Sequence, residues 1–139
     1  MEQTDFIHST VIYNDPVMRI NFKEGAELDV TQVREMIAAA EALSHKRPYL
    51  LLSDVRNNVE ITTEARKVAA DKKESPCVLA NAVLTNNLAL KLTANFFIKI
   101  NKPHFPVKVF NDEDKALAWL MTFDPNKEVR TILNSLKEE

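Results

Sequence analysis

The sequence predicts an α/β fold: a mixed, mostly parallel five-stranded sheet with an N-terminal β-hairpin and four to five helices. After the hairpin, short apolar runs alternate with segments whose apolar residues recur every three or four positions. Such alternation is typical of parallel strands joined by right-handed helical crossovers. The chain has 139 residues, of which 45% are hydrophobic and 27% charged. These values suit a single domain over residues 1–139 with a proper apolar core.

The opening hairpin is predicted from two strand-like runs, 6–13 and 17–22, with Asn14-Asp15-Pro16 as the turn between them. The first helix follows, with Asp29 or Thr31 as its N-cap, and it ends before Pro48.

The remaining elements continue the alternation of strands and helices. They are a strand over 49–55, a short helix capped by Thr62 or Thr63, a strand over 77–84, a strongly apolar helix over 88–100, a strand over 107–110, a helix capped by Asn111 or Asp112, and a tail helix over 126–139.

Glycine content excludes several kinds of cofactor site, because Gly25 is the only glycine in the chain. Phosphate-binding loops, dinucleotide fingerprints and nucleophile elbows need glycine where the backbone approaches a ligand or turns sharply. We therefore expect no cofactor and no enzymatic activity of those classes.

Charge and cysteine content limit the partners and the compartment. A net charge of −2 gives no general attraction to phosphate backbones, so we expect no nucleic-acid partner. Cys77 is the single cysteine, which excludes an internal disulfide. The N-terminal residues lack a secretory pattern, and no apolar stretch reaches the ~20 residues of a membrane span. We expect a cytoplasmic protein.

Polar residues cluster after the strand over 49–55, where an open sheet gathers ligands at the carboxyl ends of its parallel strands. They are Asp54, Arg56, Asn57, Thr62 and Thr63. These side chains could form an interaction or phosphorylation site at a helix N-terminus. In the alternative interpretation they only satisfy loop backbone groups and cap the helix.

The helix over 88–100 carries more apolar residues than one core-facing stripe needs. Leu92, Phe96, Phe97 and Ile100 could cover the core, line an apolar pocket or form a dimer contact. Core packing with self-association is the favoured interpretation, which makes a homodimer the expected assembly.

His104 and Cys77 are the remaining candidates for a catalytic role. His104 lies between prolines with no orienting acid or nucleophile at a recognisable spacing, which favours a solvent-facing loop residue. Cys77 precedes an apolar strand and is predicted to be a small buried side chain. An enzyme would require His104 and Asp54 to converge in one cleft.

The order of elements and several segments resemble the small bacterial STAS-like proteins, particularly the SpoIIAA-like group related to CRAL-TRIO lipid-binding domains. The segments are LLSDVR, ITTEAR, NFFIKINKPHFPVKVF and EDKALAWL. The resemblance implies a fold built for binding. In the anti-sigma-factor antagonists of this family, a Ser or Thr at the start of the helix after the central strand is phosphorylated. That position corresponds to Thr62 or Thr63, and Asp54 resembles the acidic residue that ends the strand.

The sequence thus predicts a non-enzymatic, STAS-like regulatory or protein-interaction domain that acts through protein contacts or self-association. The alternative is a small carrier that binds an apolar or lipid-like ligand.

Overall fold

The computed structural model describes residues 1–139 apart from Leu88, Leu90, Thr93, Ala94, Phe96, Phe97, Ile100, Asn101 and Glu139; for Glu138 it describes the backbone alone. The strands are β1 (Glu2–Asp5), β2 (Ser9–Asn14), β3 (Val17–Phe22), β4 (Glu27–Leu28), β5 (Tyr49–Asp54), β6 (Glu60–Ile61), β7 (Val78–Leu84) and β8 (Val107–Phe110). The helices are α1 (Val30–Ser44), α2 (Thr63–Ala70), α3 (Glu113–Met121) and α4 (Lys127–Glu138). Between β7 and β8, the described residues Ala89, Lys91, Leu92, Asn95, Ile98 and Lys99 are helical.

The main sheet has the order β1-β2-β3-β5-β7-β8. The pairs from β3 through β5 and β7 to β8 are parallel, and the pairs β1-β2 and β2-β3 are antiparallel. The predicted fold class, a mixed and mostly parallel sheet with helices packed on it, is confirmed.

The sheet has six strands instead of the predicted five, because residues Glu2–Asp5, which precede the predicted strand over 6–13, form an additional strand, β1. A tight turn separates β1 from β2, with the Phe6 amide donating to the Ser9 carbonyl at 2.7 Å. Ile7 at the tip of this turn is 96% exposed. The sequence did not predict this turn, because residues 6–9 contain neither glycine nor proline.

A second, two-stranded parallel sheet, β4-β6, joins the segment that leads into α1 to the segment that leads into α2. The Glu60 amide donates to the Ala26 carbonyl at 2.9 Å and the Thr62 amide to the Leu28 carbonyl at 3.0 Å. Gly25 leads into β4 with a φ of 72°, a left-handed conformation that glycine adopts without steric cost. Strands of two residues are too short to produce a periodic pattern, and the sequence therefore did not predict this sheet.

The main sheet has two different faces, and β5 displays the alternation between them. Leu50 and Leu52 are fully buried on the face that packs against α3, with Ala80, Ala82, Leu84, Ala116 and Leu120. Leu51 and Ser53 point to the opposite face, towards α1 and α2. We call the side of α3 the closed face and the side of α1 and α2 the cavity face.

The helix starts agree with one of the two caps predicted in each case. Asp29 caps α1 in a reciprocal capping box with Gln32, and Thr62 caps α2. The α1 helix ends at Ser44, where His45 and Lys46 take left-handed conformations that reverse the chain.

Candidate functional site

A cavity of about 200 Å³ lies on the cavity face, between the main sheet and helices α1 and α2. Its floor is formed by side chains that alternate along β3, β5 and β7. The walls come from Val33, Met36, Ile37 and Ala40 of α1 and from Ala69 and Ala70 of α2. Ile98, Pro103 and Phe105 close the side next to β8.

The lining of the cavity is almost entirely apolar. Its floor consists of every second side chain along the strands, because alternate side chains of a strand point to the same face of the sheet. Ile20 and Phe22 of β3, Leu51 of β5 and Val83 of β7 all point to this side. An apolar space of this kind favours the transfer of apolar ligand surface out of water.

Ser53 and Asn81 form a polar pair within this apolar floor. The Ser53 hydroxyl donates to Oδ1 of Asn81 at 2.9 Å, and both side chains are half-buried. The two residues lie on adjacent strands, β5 and β7. This bond leaves the amide nitrogen of Asn81 without a hydrogen-bond partner within the described part of the chain.

Tyr49 contributes a third polar group to the cavity wall. The residue is only 2% exposed, and its hydroxyl has no hydrogen-bond partner among the described residues. Burial raises the pKa of Tyr49, so the phenol stays protonated and can donate or accept a hydrogen bond.

Arg66 brings a positive charge to the same wall. It lies on α2, is half-buried and lines the cavity, where its aliphatic stem can pack on apolar surface.

Asp54 lies on the other side of the sheet, within an ion cluster at the end of β5. Its carboxylate binds Arg56 at 2.7 Å and Arg19 at 3.0 Å, and Arg19 also binds Glu113 at 2.6 Å. Burial by itself raises the pKa of Asp54. The hydrogen bonds from Arg56 and the charges of Arg56 and Arg19 outweigh that effect and hold the pKa below its ordinary value. The cluster joins β3, β5 and the start of α3, and its charges are balanced.

Asn57 holds the loop after β5 against the end of β3. Its side-chain amide donates to the Phe22 carbonyl at 3.2 Å, and its own carbonyl accepts from Gly25 at 3.2 Å. The neighbouring Asn58 has a φ of 53°. These bonds satisfy loop backbone groups, which agrees with the alternative interpretation of this segment.

The two threonines at the start of α2 differ in their surroundings. The Thr62 hydroxyl accepts from the Ala65 amide at 3.1 Å and donates to the Asp29 carboxylate at 3.2 Å. Thr63 is exposed, and its hydroxyl has no partner among the described residues.

His104 and Cys77 both have local structural partners. His104 accepts from the Lys72 amide at 3.1 Å and lies 3.6 Å from the Asp71 carboxylate. Within the described residues it shares no hydrogen bond or ion pair with Asp54. Cys77 is buried, its thiol lies 3.4 Å from the Lys46 carbonyl, and burial raises its pKa.

Of the four apolar residues of the helix over 88–100 that were predicted to form a pocket or an interface, the structure describes only Leu92. Leu92 is 62% exposed and is not part of the cavity wall. Phe96, Phe97 and Ile100 lie outside the described residues.

The polar residues of the cavity were missed in the sequence, although a signal for them was present. Ser53 in YLLLSDV and Asn81 in VLANAVL are polar residues within mostly apolar strands, and each is in phase with the side chains on the cavity face. That the two side chains lie next to each other can be recognised only when the register between β5 and β7 is known.

Comparisons with known proteins identify the fold and a family. The model of a family described as "Domain of unknown function (DUF7793)" matches residues 11–124. The chain is also similar to the crystal structure of an uncharacterized DUF3478-family protein with a SpoIIAA-like fold from Shewanella loihica PV-4. The TM-score is 0.56 at 16% identity, over 84% of this chain and 98% of that one. At this identity the likeness shows the fold alone. No curated protein matches the sequence. Among the described residues, no helix has the length and hydropathy needed to cross a membrane.

Proposed function

We propose that this chain, which belongs to the DUF7793 family, is a non-enzymatic binding protein that holds a small, mostly apolar molecule in the cavity under α1 and α2. The observation that carries the proposal is the cavity itself: an apolar space of about 200 Å³ whose wall includes the Asn81 amide nitrogen and the Tyr49 hydroxyl, neither of which has a hydrogen-bond partner among the described residues. The SpoIIAA-like fold, and the resemblance of the sequence to a STAS-like group that is itself related to CRAL-TRIO lipid-binding domains, support a binding role.

The volume limits the size of the ligand. An engineered apolar cavity of about 150 Å³ holds benzene, and drug-sized ligands occupy pockets of about 300–1,000 Å³. A cavity of about 200 Å³ therefore suits one substituted ring or a short acyl chain. It is too small for a complete two-chain lipid.

The polar groups of the cavity wall indicate which functional group the ligand carries in addition to its apolar part. The Asn81 amide nitrogen is a hydrogen-bond donor, and the protonated Tyr49 hydroxyl is both donor and acceptor. A ligand oxygen can bond to these groups without breaking a hydrogen bond between described residues. Arg66 favours ligands with a negative charge, so a small carboxylic acid with an apolar body fits the wall best.

Native mass spectrometry of the protein purified gently from its own cells tests this proposal. We expect a fraction of the protein to retain a small molecule that is released on denaturation. Ala70→Phe places a ring in the cavity wall from α2 and should abolish the retained mass. Ala118→Phe adds the same ring at an exposed position of α3 and should keep the retained mass.

The proposal fails if the wild-type protein has only the apo mass and binds none of a panel of small aromatic and aliphatic acids. It also fails if Ala70→Phe and Ala118→Phe retain the ligand equally.

A second function, regulated contact with a protein partner, is favoured by the exposed hydroxyl of Thr63 at the first position of α2. A phosphate there would lie at the positive end of the helix dipole and change a surface next to Arg66. The Thr62 hydroxyl is already engaged, and a phosphate on it would approach the Asp29 carboxylate. Thr63 is therefore the better acceptor of the two.

Phosphorylation by kinases in a lysate of the native host, compared among wild type, Thr62→Ala and Thr63→Ala, distinguishes these residues. We expect labelling that Thr63→Ala removes and Thr62→Ala leaves in place. Labelling that survives the double substitution would exclude a switch at this helix.

A further inference from the structure

Two buried hydroxyl groups on the cavity wall, those of Tyr49 and Ser75, have no hydrogen-bond partner among the described residues. Each of the two residues is only 2% exposed. Buried hydroxyls normally have a partner, because an unpaired one loses its bonds to water and gains none in return. Two such groups on one wall indicate a place where a bound molecule supplies the missing bonds.

Both hydroxyl oxygens face open space within the protein. Among the described residues, no side-chain oxygen or nitrogen is sealed in the interior without a partner. The unpaired oxygens of Tyr49 and Ser75 are therefore accessible, and the cavity is the open space that both residues line. Ser75 is thus a polar group of the cavity wall in addition to Tyr49 and Asn81.

Tyr49 and Ser75 approach the cavity from the amino ends of two adjacent strands. Tyr49 is the first residue of β5 and is paired with Val78, the first residue of β7. Ser75 precedes Val78 by three residues, and its carbonyl accepts from the Val78 amide at 3.3 Å. The two hydroxyls therefore belong to the same end of the cavity.

Arg66 belongs to a different part of the wall. The α2 helix begins after the carboxyl end of β5 and leads back to the amino end of β7. Arg66 lies in the first half of this helix, whereas Ser75 follows its end. The residues from Arg66 to Ala70 alone extend the helix by about 6 Å. The wall therefore has a cation at one place and two hydroxyls at another.

The hydroxyl end of the cavity favours a neutral group. Burial, with smaller contributions from Cys77 and Glu41, raises the pKa of Tyr49, so its phenol remains neutral. The carboxylate of Glu41 also repels an anion at this end. A ligand hydroxyl can donate to one of the two protein hydroxyls and accept from the other. A neutral hydroxyl therefore suits this end, and an anionic group suits the surroundings of Arg66.

We propose that Tyr49 and Ser75 form a subsite for a hydroxyl group, so that the cavity selects a small hydroxy acid whose carboxylate lies towards Arg66. The inference rests on the proposed ligand site in the cavity, and it adds the ligand's second polar group and the residues that select it. A volume of about 200 Å³ suits one benzene ring that carries a hydroxyl and a carboxylate.

Calorimetric titration of the full-length chain with benzoic acid, 3-hydroxybenzoic acid and 4-hydroxybenzoic acid tests the subsite. We expect wild type to bind one of the hydroxy acids about tenfold more tightly than benzoic acid, because buried hydrogen bonds are gained. Tyr49→Phe and Ser75→Ala should each remove most of this preference and leave the affinity for benzoic acid within about twofold. The retained affinity for benzoic acid shows that both variants are folded.

Matched controls make the same chemical changes at buried residues that do not line the cavity. Tyr13→Phe and Ser9→Ala should keep the preference for the hydroxy acid. Loss of the preference in these controls as well would mean that the effect does not come from the cavity wall, and it would overturn the subsite.

The remaining outcomes separate the subsite from the proposed function. Equal binding of all three acids by wild type overturns the subsite and leaves the ligand site in place, because water then serves the two hydroxyls. A preference that Tyr49→Phe or Ser75→Ala retains in full also overturns the subsite. Binding of none of the three acids overturns it too, and contradicts the proposed function when small aliphatic acids also fail to bind.

Discussion

The hydroxyl of Thr62 donates a hydrogen bond to the carboxylate of Asp29 at 3.2 Å. Each of these residues is the N-cap of its own helix, Asp29 of α1 and Thr62 of α2. The bond therefore joins the N-termini of the two helices whose residues form the walls of the cavity. The parallel pairing of β4 with β6 brings the two caps together, because each strand leads directly into one of the helices.

Replacing Thr62 should destabilise the protein, whereas replacing Thr63 should not. Thr62→Ala removes an N-cap and the bond to Asp29, and we expect a loss of about 1–2 kcal/mol in the free energy of unfolding. Thr63→Ala changes an exposed residue and should alter it by less than about 0.5 kcal/mol. Urea denaturation of both variants measures the difference. Equal stabilities would contradict the role of Thr62 as the cap.

The ion cluster at Asp54 should make stability depend on pH in the acid range. The pKa of Asp54 is lower in the folded protein than in the unfolded chain, so the unfolded state takes up its proton first as pH falls. The stabilising contribution is complete above the unfolded pKa of about 3.9 and is lost as pH falls through the folded value.

Comparison with Asp54→Asn isolates this contribution. Wild type should exceed Asp54→Asn in stability at neutral pH, and the gap should shrink steadily below about pH 4. Denaturant titrations at a series of pH values measure the gap. A gap that stays constant down to about pH 2 would mean that the Asp54 charge is not the source.

The two faces of β5 should respond differently to truncation. Leu50 is fully buried on the closed face, so Leu50→Ala should cost about 2–5 kcal/mol. Leu51 is half-buried and borders the existing cavity, so Leu51→Ala should cost less. Thermal denaturation of the pair tests this ranking. An equal loss for both would indicate that the space next to Leu51 is filled in solution.

Asn81 should contribute to ligand affinity beyond its packing. Asn81→Leu removes the amide donor but keeps a side chain of similar size, and we expect about tenfold weaker binding of a ligand that carries a hydrogen-bond acceptor. A purely hydrocarbon ligand of similar shape should bind equally well or better. Calorimetric titration with a matched pair of ligands measures the two affinities. Loss of both by the same factor would assign Asn81 a merely structural role.

The sequence predicted the order of the main elements because their periodicities are long enough to be distinctive. The strand YLLLSDV and the amphipathic tail helix could be placed from local pattern, whereas for the caps of α1 and α2 the pattern left two candidates each, Asp29 or Thr31 and Thr62 or Thr63. The turn at Ile7 and the pairing of β4 with β6 could not be placed, since each involves only two or three residues without a characteristic composition.

The cavity could not be predicted for a different reason. It depends on the register that places Ser53 beside Asn81 and on how far α1 and α2 stand from the sheet, and both are tertiary properties. The local sequence pattern instead predicted a site at Asp54. The fold places this residue on the closed face, where it forms ion pairs with Arg19 and Arg56.

Methyl NMR offers the most direct measurement of the central claim, because β5 carries its own internal control. Titration with small aromatic acids should shift the methyl resonances of Leu51 and Val83, which line the cavity, and leave those of Leu50 and Leu52 on the closed face unchanged. Saturable shifts confined to the first pair are the predicted result. No shift at millimolar ligand across the panel, or equal shifts on both faces, would contradict a ligand site in this cavity.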